Sequence, residues 1–144
     1  MNNIVLDTNV LLSGMLWRGQ AHNALQIVVD SYQIVQNGET LKEFAKVIER
    51  PKFRKVLIRR QYTADMLIDS LFCQAAFYET SPTAQKKIAN ISINDKDDLK
   101  FIELALASYS RIIVSGDKHL LDLKSVCGIS IMSVSSFIDL HLSR

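Results

Sequence analysis

The chain has 144 residues, of which 48% are hydrophobic and 22% are charged, and its formal net charge is +2. This length and composition exclude a disordered polypeptide and predict one globular domain that spans residues 1–144. The net charge is too small to indicate a nucleic-acid partner by itself, so any basic surface has to be local.

The two cysteines, Cys73 and Cys127, form no CxxC pair. Their spacing argues against a zinc ribbon or a disulfide scaffold and predicts two buried apolar side chains in a reducing cytoplasm. The N-terminus lacks the basic segment of a signal peptide. No apolar stretch approaches the roughly 20 residues of a membrane helix. We therefore expect a cytoplasmic protein without a membrane segment.

Short apolar segments alternate with amphipathic ones in the first half of the chain. Residues 4–6 predict a buried strand, and a helix begins at Val10. Gly14 and Gly19 predict a loop between them. The remaining predicted elements of this half are a helix at 20–31, a strand at 32–35 and a helix that Asn37 caps and that ends by Arg50.

The second half continues the alternation. Residues 63–78 predict a helix with Met66, Leu67, Leu71 and Ala75 on its apolar face, ended by Ser81-Pro82. Residues 83–94 read equally as a short strand or a packed loop. The other predicted elements are helices at 97–109, 119–123 and 134–142 and strands at 112–114 and 129–132. Short apolar strands between helices predict an α/β fold with a parallel sheet covered by helices.

Several acidic residues follow or flank the predicted strands. Asp7 follows the first strand and Asp117 follows the strand at 112–114. Ligand sites of open α/β sheets lie beyond the carboxyl ends of the strands, so parallel neighbours bring both acids to one edge. Asp98 opens the helix that leads into the second of these strands, and Glu43 lies about two turns into the helix after Asn37. We therefore expect four carboxylates to converge.

Such a group stays ionised only if a cation neutralises it. Oxygen ligands without histidine or cysteine suit Mg²⁺ or Mn²⁺. A metal of this kind binds phosphate and lowers the pKa of a water, which indicates hydrolysis of a phosphodiester. Taken singly, Asp7 and Asp117 could each be only a helix cap.

Four segments together resemble a PIN-domain ribonuclease of the VapC-like group, the toxins of toxin–antitoxin pairs. They are IVLDTNVLLS, ETLKEFAKVIERPK, DKDDLKFIELALAS and IIVSGDKHLLDL, in order along nearly the whole chain. The resemblance implies a PIN-like three-layer fold, with a short, mostly parallel sheet between helices. It also implies an RNA substrate, a small antitoxin partner and a homodimer.

The resemblance assigns the metal ligands by position to Asp7, Glu43, Asp98 and Asp117. Asn9 and Ser115 match small polar residues that the family places beside the first and last of these acids. Relatives often carry Ser-Pro where this chain has Asn37-Gly38, which suggests a looser start for the Glu43 helix, and Pro where it has Lys96. Neither departure removes a ligand.

Two choices stay open at this stage. Asp95 and Asp97 lie beside Asp98, and each could cap the helix or help to hold a second metal. Glu39, one turn before Glu43, is an alternative to it.

The segment ERPKFRKVLIRR carries a local basic charge that the whole chain lacks. A run of this kind is as often a solvated surface as a site, but in a nuclease it would contact RNA phosphates without reading sequence. The RNA-binding candidates are Arg50, Lys52, Arg54, Lys55 and Lys118. Trp17 is more typical of core packing than of stacking on a base.

The favoured hypothesis is thus a metal-dependent endoribonuclease acting as a toxin. The alternatives are a PIN-type RNA-processing nuclease without an antitoxin, a catalytically silent interaction module and a phosphotransfer domain. The last is disfavoured because Asn9 stands where haloacid-type phosphatases have a second Asp.

Overall fold

The computed structural model of the protein describes residues 2–93 and 95–142. Its helices and strands, in chain order, are β1 (Asn2–Leu6), α1 (Thr8–Leu16), α2 (Gln20–Ser31), β2 (Tyr32–Gln36), α3 (Gly38–Val47), α4 (Pro51–Arg60), α5 (Ala64–Gln74), β3 (Ala76–Phe77), α6 (Pro82–Ile88), α7 (Leu99–Ala107), β4 (Ile112–Val114), α8 (Lys118–Leu123), β5 (Ser125–Val126), β6 (Ile129–Met132) and α9 (Val134–Leu142). A short 3₁₀ turn, Lys96–Asp98, precedes α7.

The strands form one sheet in the order β3-β2-β1-β4-β6-β5. Every neighbouring pair is parallel except β5 with β6. The central pair is β1 with β4, in which Leu6 lies opposite Val114. The predicted α/β fold with a mostly parallel sheet is therefore confirmed.

Helices cover both faces of the sheet. Successive residues of a strand point to opposite faces, so Ile4 and Leu6 enter one apolar cluster while Val5 enters the other. The first cluster joins β1 to α1–α5 and α9, and the second joins it to α7 and α8. This is the predicted three-layer arrangement. No helix among the described residues is long and apolar enough to span a membrane.

The loop predicted to begin at Gly14 is wrong, because α1 continues through Gly14 to Leu16. Glycine is needed there for the close approach of α2. A Cβ at this position would lie 2.9 Å from the carbonyl oxygen of Ala21 and 3.1 Å from Cβ of Leu25. This glycine therefore serves helix packing and not a turn.

The basic segment forms a helix, α4, that the sequence analysis did not predict. Pro51 occupies its first turn, where the missing N–H costs nothing. Phe53, Val56 and Leu57 are buried at helical spacing, while charged residues between them face outward. The density of charge concealed this periodicity.

The segment between α5 and α7 also differs from the prediction. The predicted helix at 63–78 ends at Gln74, because the next residues pair with β2 as β3. Ser81 caps α6 and Pro82 lies in its first turn, so this dipeptide starts a helix and does not end one. Residues 83–88 are therefore helical, against the expected strand or loop, and Asn94 lies outside the described residues.

Three side chains are placed differently from the prediction. Cys73 and Cys127 are exposed, not buried. Met66 is also largely exposed, although Leu67 and Leu71 on the same helix are buried as expected. Trp17, in contrast, packs on the core as expected, beside Phe53 with ring centroids 5.5 Å apart.

The prediction of a single domain over residues 1–144 stays a prediction.

Candidate metal centre

Asp7 lies at the carboxyl end of β1 and is almost fully buried. Its Oδ1 accepts a hydrogen bond from the backbone N–H of Val10 at 2.8 Å, which caps α1. Its Oδ2 accepts hydrogen bonds from the hydroxyl of Ser115 and from the N–H of Gly116, the latter at 3.2 Å. Asp7 can cap α1 and also lie beside β4, because α1 starts directly after β1 ends.

Asp117 follows β4 and caps α8 through a 2.8 Å hydrogen bond from the N–H of His119 to its Oδ1. The N–H of Asp117 in turn donates to Oγ of Ser115 at 2.9 Å. Ser115 therefore joins Asp7 to the backbone of Asp117.

Asp95 and Asp98 come from the 3₁₀ turn before α7. Asp95 accepts the N–H of Asp97 at 3.0 Å and so caps the turn. Asp98 makes no capping hydrogen bond, although it stands at the first position before α7. It is 7% exposed, and its Oδ2 is buried without a hydrogen-bond partner. A buried carboxylate oxygen of this kind is costly unless something else binds it.

Glu43 reaches the same region from α3. The hydroxyl of Thr8 donates to its Oε2 at 2.5 Å, and Nζ of Lys100 lies 3.1 Å from its Oε1. The start of α3 is well fixed and not loose, because Asn37 and Thr40 form a reciprocal capping box. Asn37 therefore fixes the start of α3, although this chain lacks the Ser-Pro that relatives often carry there.

These acids line one cavity of about 530 Å³. Asp95, Asp98 and Asp117 each offer an oxygen within 4.8 Å of the others, a spacing that a metal ion could bridge. Asp7 and Glu43 line the cavity but do not belong to this group of three. Asp97, Asn9 and Arg50 also line it.

The PIN-domain family model matches residues 3–119 of the chain. The chain belongs to the PIN-domain family. Proteins of this family are nucleases, so membership places the chain at this coarse level among the nucleases. No curated protein matches the sequence.

Three solved structures are similar in fold to this PIN domain. A chain of VapBC2 from Rickettsia felis, bound to a DNA fragment from its promoter, has a TM-score of 0.65 at 13% identity over 91% of this chain and 98% of that one. DNA-bound VapBC from Salmonella typhimurium gives 0.61 at 14% identity over 93% and 99%. PAE2754 from Pyrobaculum aerophilum gives 0.57 at 11% identity over 100% and 91%.

Burial and mutual repulsion perturb two carboxylates of the PIN domain. Burial raises the pKa of Asp7, although hydrogen bonds from Ser115, Val10 and Gly116 act against that rise. Burial also raises the pKa of Asp98 to about 7, helped by the charges of Asp117 and Asp95 and, least, by that of Glu43. A cation among these oxygens would relieve both causes.

The residues present therefore fit a hard divalent cation. The donors are all oxygens, three of them are close enough to share one ion, and one buried oxygen has no partner. This donor set suits Mg²⁺ or Mn²⁺, and its chemistry does not choose between them.

The basic candidates are not all placed alike. Arg50 directly precedes α4 without a capping hydrogen bond from its side chain, and it lines the acidic cavity. Lys52, Arg54, Lys55 and Lys118 are not among the described residues that line it. Arg54 lies 3.7 Å from a carboxylate oxygen of Glu49. Nζ of Lys52 lies over two rings, 5.9 Å from the centroid of Trp17 and 4.9 Å from that of Phe53.

Two residues that contact Glu43 were missed by the sequence analysis. Thr8 follows Asp7 directly in the motif LDTN, so its place next to the first acid was a usable signal. Lys100 lies two residues after Asp98 in KDDLK, where it reads as one more surface charge. Only the packing of α7 near α3 brings its ammonium to Glu43.

Proposed function

We propose that this PIN domain is a Mg²⁺- or Mn²⁺-dependent endoribonuclease and the toxin of a toxin–antitoxin pair. One observation carries the proposal. Asp95, Asp98 and Asp117 offer oxygens within 4.8 Å of one another, and Asp98 keeps a buried oxygen without a partner in the same acidic cavity. A buried carboxylate beside two partly buried acids is unfavourable without a cation, so the arrangement favours a metal-binding role.

In this proposal the acidic site comprises Asp7, Glu43, Asp98 and Asp117, with Asp95 beside them. Asp95, Asp98 and Asp117 would hold the ion directly, since they are close enough to share it. A bound ion would polarise a phosphate oxygen and lower the pKa of a nearby water. Asp7, Glu43 and Asn9 line the cavity and would orient that water and the phosphate. Ser115 would keep Asp7 in place through its hydrogen bond.

The substrate in this proposal is RNA. Arg50 would contact a phosphate inside the cavity, because it lines that cavity among acids. Lys52, Lys55 and Lys118 are exposed cations outside it, and Arg54 is partly engaged by Glu49. Together they would guide the RNA backbone without reading its sequence. The Arg50→Ala variant should therefore weaken RNA binding more than Arg54→Ala does, measured by fluorescence anisotropy with a labelled RNA in Ca²⁺.

The proposed partner is a small antitoxin. The Rickettsia felis and Salmonella typhimurium structures that share this fold are VapBC assemblies with DNA, which supports a partner of the same kind here. A homodimer is proposed from the family resemblance of the sequence alone. The assignment predicts a small open reading frame next to this one, whose product suppresses the growth defect caused by expressing this chain. A chain that is harmless alone and has no such neighbour would favour an RNA-processing nuclease instead.

The test of the chemistry is cleavage of a long structured RNA by the purified protein in Mn²⁺. The informative variant is Asp98→Asn, which keeps the shape of the side chain and removes its charge. The matched control is Asp122→Asn, the same change at an exposed position of α8 outside the cavity. We expect wild type and Asp122→Asn to cleave alike, and Asp98→Asn and an EDTA-treated sample to lose cleavage.

Two results would contradict the proposal. Equal cleavage by wild type and Asp98→Asn would show that the activity belongs to a contaminant or another site. A wild-type protein that neither cleaves RNA nor binds Mn²⁺ by calorimetry would instead be a silent interaction module.

A further inference from the structure

Among the described residues, one ion pair involves Glu43, which lines the acidic cavity. Nζ of Lys100 is 3.1 Å from Oε1 of Glu43, and the two side chains are only 21% and 22% exposed. The other two ion pairs of the described residues, Lys42–Glu39 and Arg54–Glu49, join side chains that are each at least 44% exposed. Exposed pairs contribute little, whereas a partly desolvated pair is screened less and holds its geometry better.

The position of Lys100 within its own helix does not favour a positively charged side chain. It is the second residue of α7, whose first turn contains no acid. Backbone N–H groups at this end of a helix carry partial positive charge, so a cation there is disfavoured. The favourable partner lies on another element, since Glu43 belongs to α3.

Both carboxylate oxygens of Glu43 are occupied, and Glu43 alone among the acids that line the cavity is paired with a lysine or arginine side chain in the described residues. Lys100 binds Oε1, and the hydroxyl of Thr8 donates to Oε2. Asp98, in contrast, keeps a buried oxygen without a partner. Glu43 is also outside the group of three carboxylates whose oxygens lie within 4.8 Å of one another. At Asp98 a carboxylate oxygen is therefore available to a cation. At Glu43 the ammonium group of Lys100 already provides the positive charge.

We propose that Lys100 takes the place of a second metal ion at Glu43, so that the site binds one divalent cation, at Asp95, Asp98 and Asp117. This inference rests on the proposed metal-dependent function. A second cation at Glu43 would have to displace the ammonium group and approach the first cation, and both steps are electrostatically unfavourable. The lysine is tethered to the chain, so its charge stays in place whatever the metal concentration. Lys100 is thus a positioning residue that fixes the place of Glu43 and the number of metals.

The test counts bound Mn²⁺ ions by calorimetry and electron paramagnetic resonance at pH 8. Lys100→Met removes the ammonium and keeps an apolar chain of similar length, while Lys100→Arg keeps the charge. The matched control is Lys96→Met, which removes an exposed charge from the same acidic turn without touching Glu43. We expect one ion in wild type, Lys100→Arg and Lys96→Met. We expect two ions in Lys100→Met, with the single-ion spectrum replaced by that of a coupled pair.

The result for Glu43→Gln supplies an independent test if Lys100→Met does not fold. Because the ion is held by the three aspartates, Glu43→Gln should keep one ion, with a Kd changed by less than about tenfold. Loss of the ion in Glu43→Gln would overturn the inference.

Other outcomes separate this inference from the proposed function. One ion in both wild type and Lys100→Met, or two ions already in wild type, would overturn the role of Lys100 and leave the nuclease proposal intact. Two ions in Lys96→Met as well would show that net charge and not the contact sets the number. A wild-type protein that binds no Mn²⁺ and cleaves no RNA would overturn both.

Discussion

The pKa of Asp98 predicts that the stability of the metal-free protein depends on pH. Burial, followed by the charges of Asp117 and Asp95, raises this pKa from 3.8 to about 7. Ionised Asp98 is therefore less favourable in the folded state than in the unfolded chain. The contribution of Asp98 to the stability of the metal-free protein should fall as the pH rises from about 4 to about 7, and it should change no further once Asp98 is ionised in both states.

The size of the effect follows from the shift. At about 1.4 kcal/mol per pKa unit, a change from 3.8 to about 7 corresponds to at most about 4 kcal/mol of unfolding free energy. That is a large fraction of the roughly 5–15 kcal/mol by which domains are stable.

The same shift in the pKa of Asp98 affects metal binding. With a pKa of about 7, Asp98 would be about 10% ionised at pH 6 and about 90% at pH 8, so the apparent Kd for Mn²⁺ should rise about tenfold on going from pH 8 to pH 6.

The assay is urea unfolding at intervals from pH 4 to pH 8, in EDTA and in Mn²⁺, for wild type and Asp98→Asn. The variant lacks the titrating group, so the difference between the two proteins in EDTA should grow with pH in favour of the variant. Mn²⁺ should restore wild type at pH 8 and affect Asp98→Asn much less. Stability curves that run parallel from pH 4 to pH 8 would refute the reasoning, because Asp98 would then not be the group that titrates.

Three further predictions concern the backbone and its packing. Gly14→Ala should lower the unfolding free energy by about 1–3 kcal/mol, because its Cβ would meet the carbonyl oxygen of Ala21 at 2.9 Å; an unchanged urea midpoint would mean that α2 moves away freely. Gly38→Ala should raise it by about 0.5–1 kcal/mol, since nothing lies within 4 Å of a Cβ in the first turn of α3. Tyr109→Gly should raise it by about 0.5–1 kcal/mol in the same assay, because Tyr109 is 90% exposed and has a φ of 56°; a loss of stability would reveal a contact of its ring.

The sequence predicts the framework of this fold because its main signals are local. Residues 4–6 and 112–114 are continuous apolar runs, and each is followed by a polar residue that caps a helix. A strand that ends where a helix begins places its capping acid at the carboxyl end of the sheet. Asp7 and Asp117 could therefore be placed at one edge before any coordinates were known.

Helix α4 and strand β3 were missed because tertiary contacts decide them. Phe53, Val56 and Leu57 have helical spacing, but the charges around them hide it until the core is known. Residues 76–77 continue a helical pattern in sequence, and only pairing with β2 makes them a strand. A two-residue strand has no period of its own, so a pattern argument assigns it to the stronger neighbour.

Within the acidic site, the sequence predicts which acids meet but not which of them share an ion. Asp7, Glu43, Asp98 and Asp117 were brought together by the order of strands and helices, and all four line the cavity. The grouping of Asp98 and Asp117 with Asp95 depends on a 3₁₀ turn, and the separation of Glu43 depends on the hydrogen bonds of Thr8 and Lys100. Those are side-chain contacts between distant segments, which composition and spacing do not encode. A metal site in a sequence of this kind is therefore better assigned by asking which carboxylate oxygens lack a partner than by counting the acids.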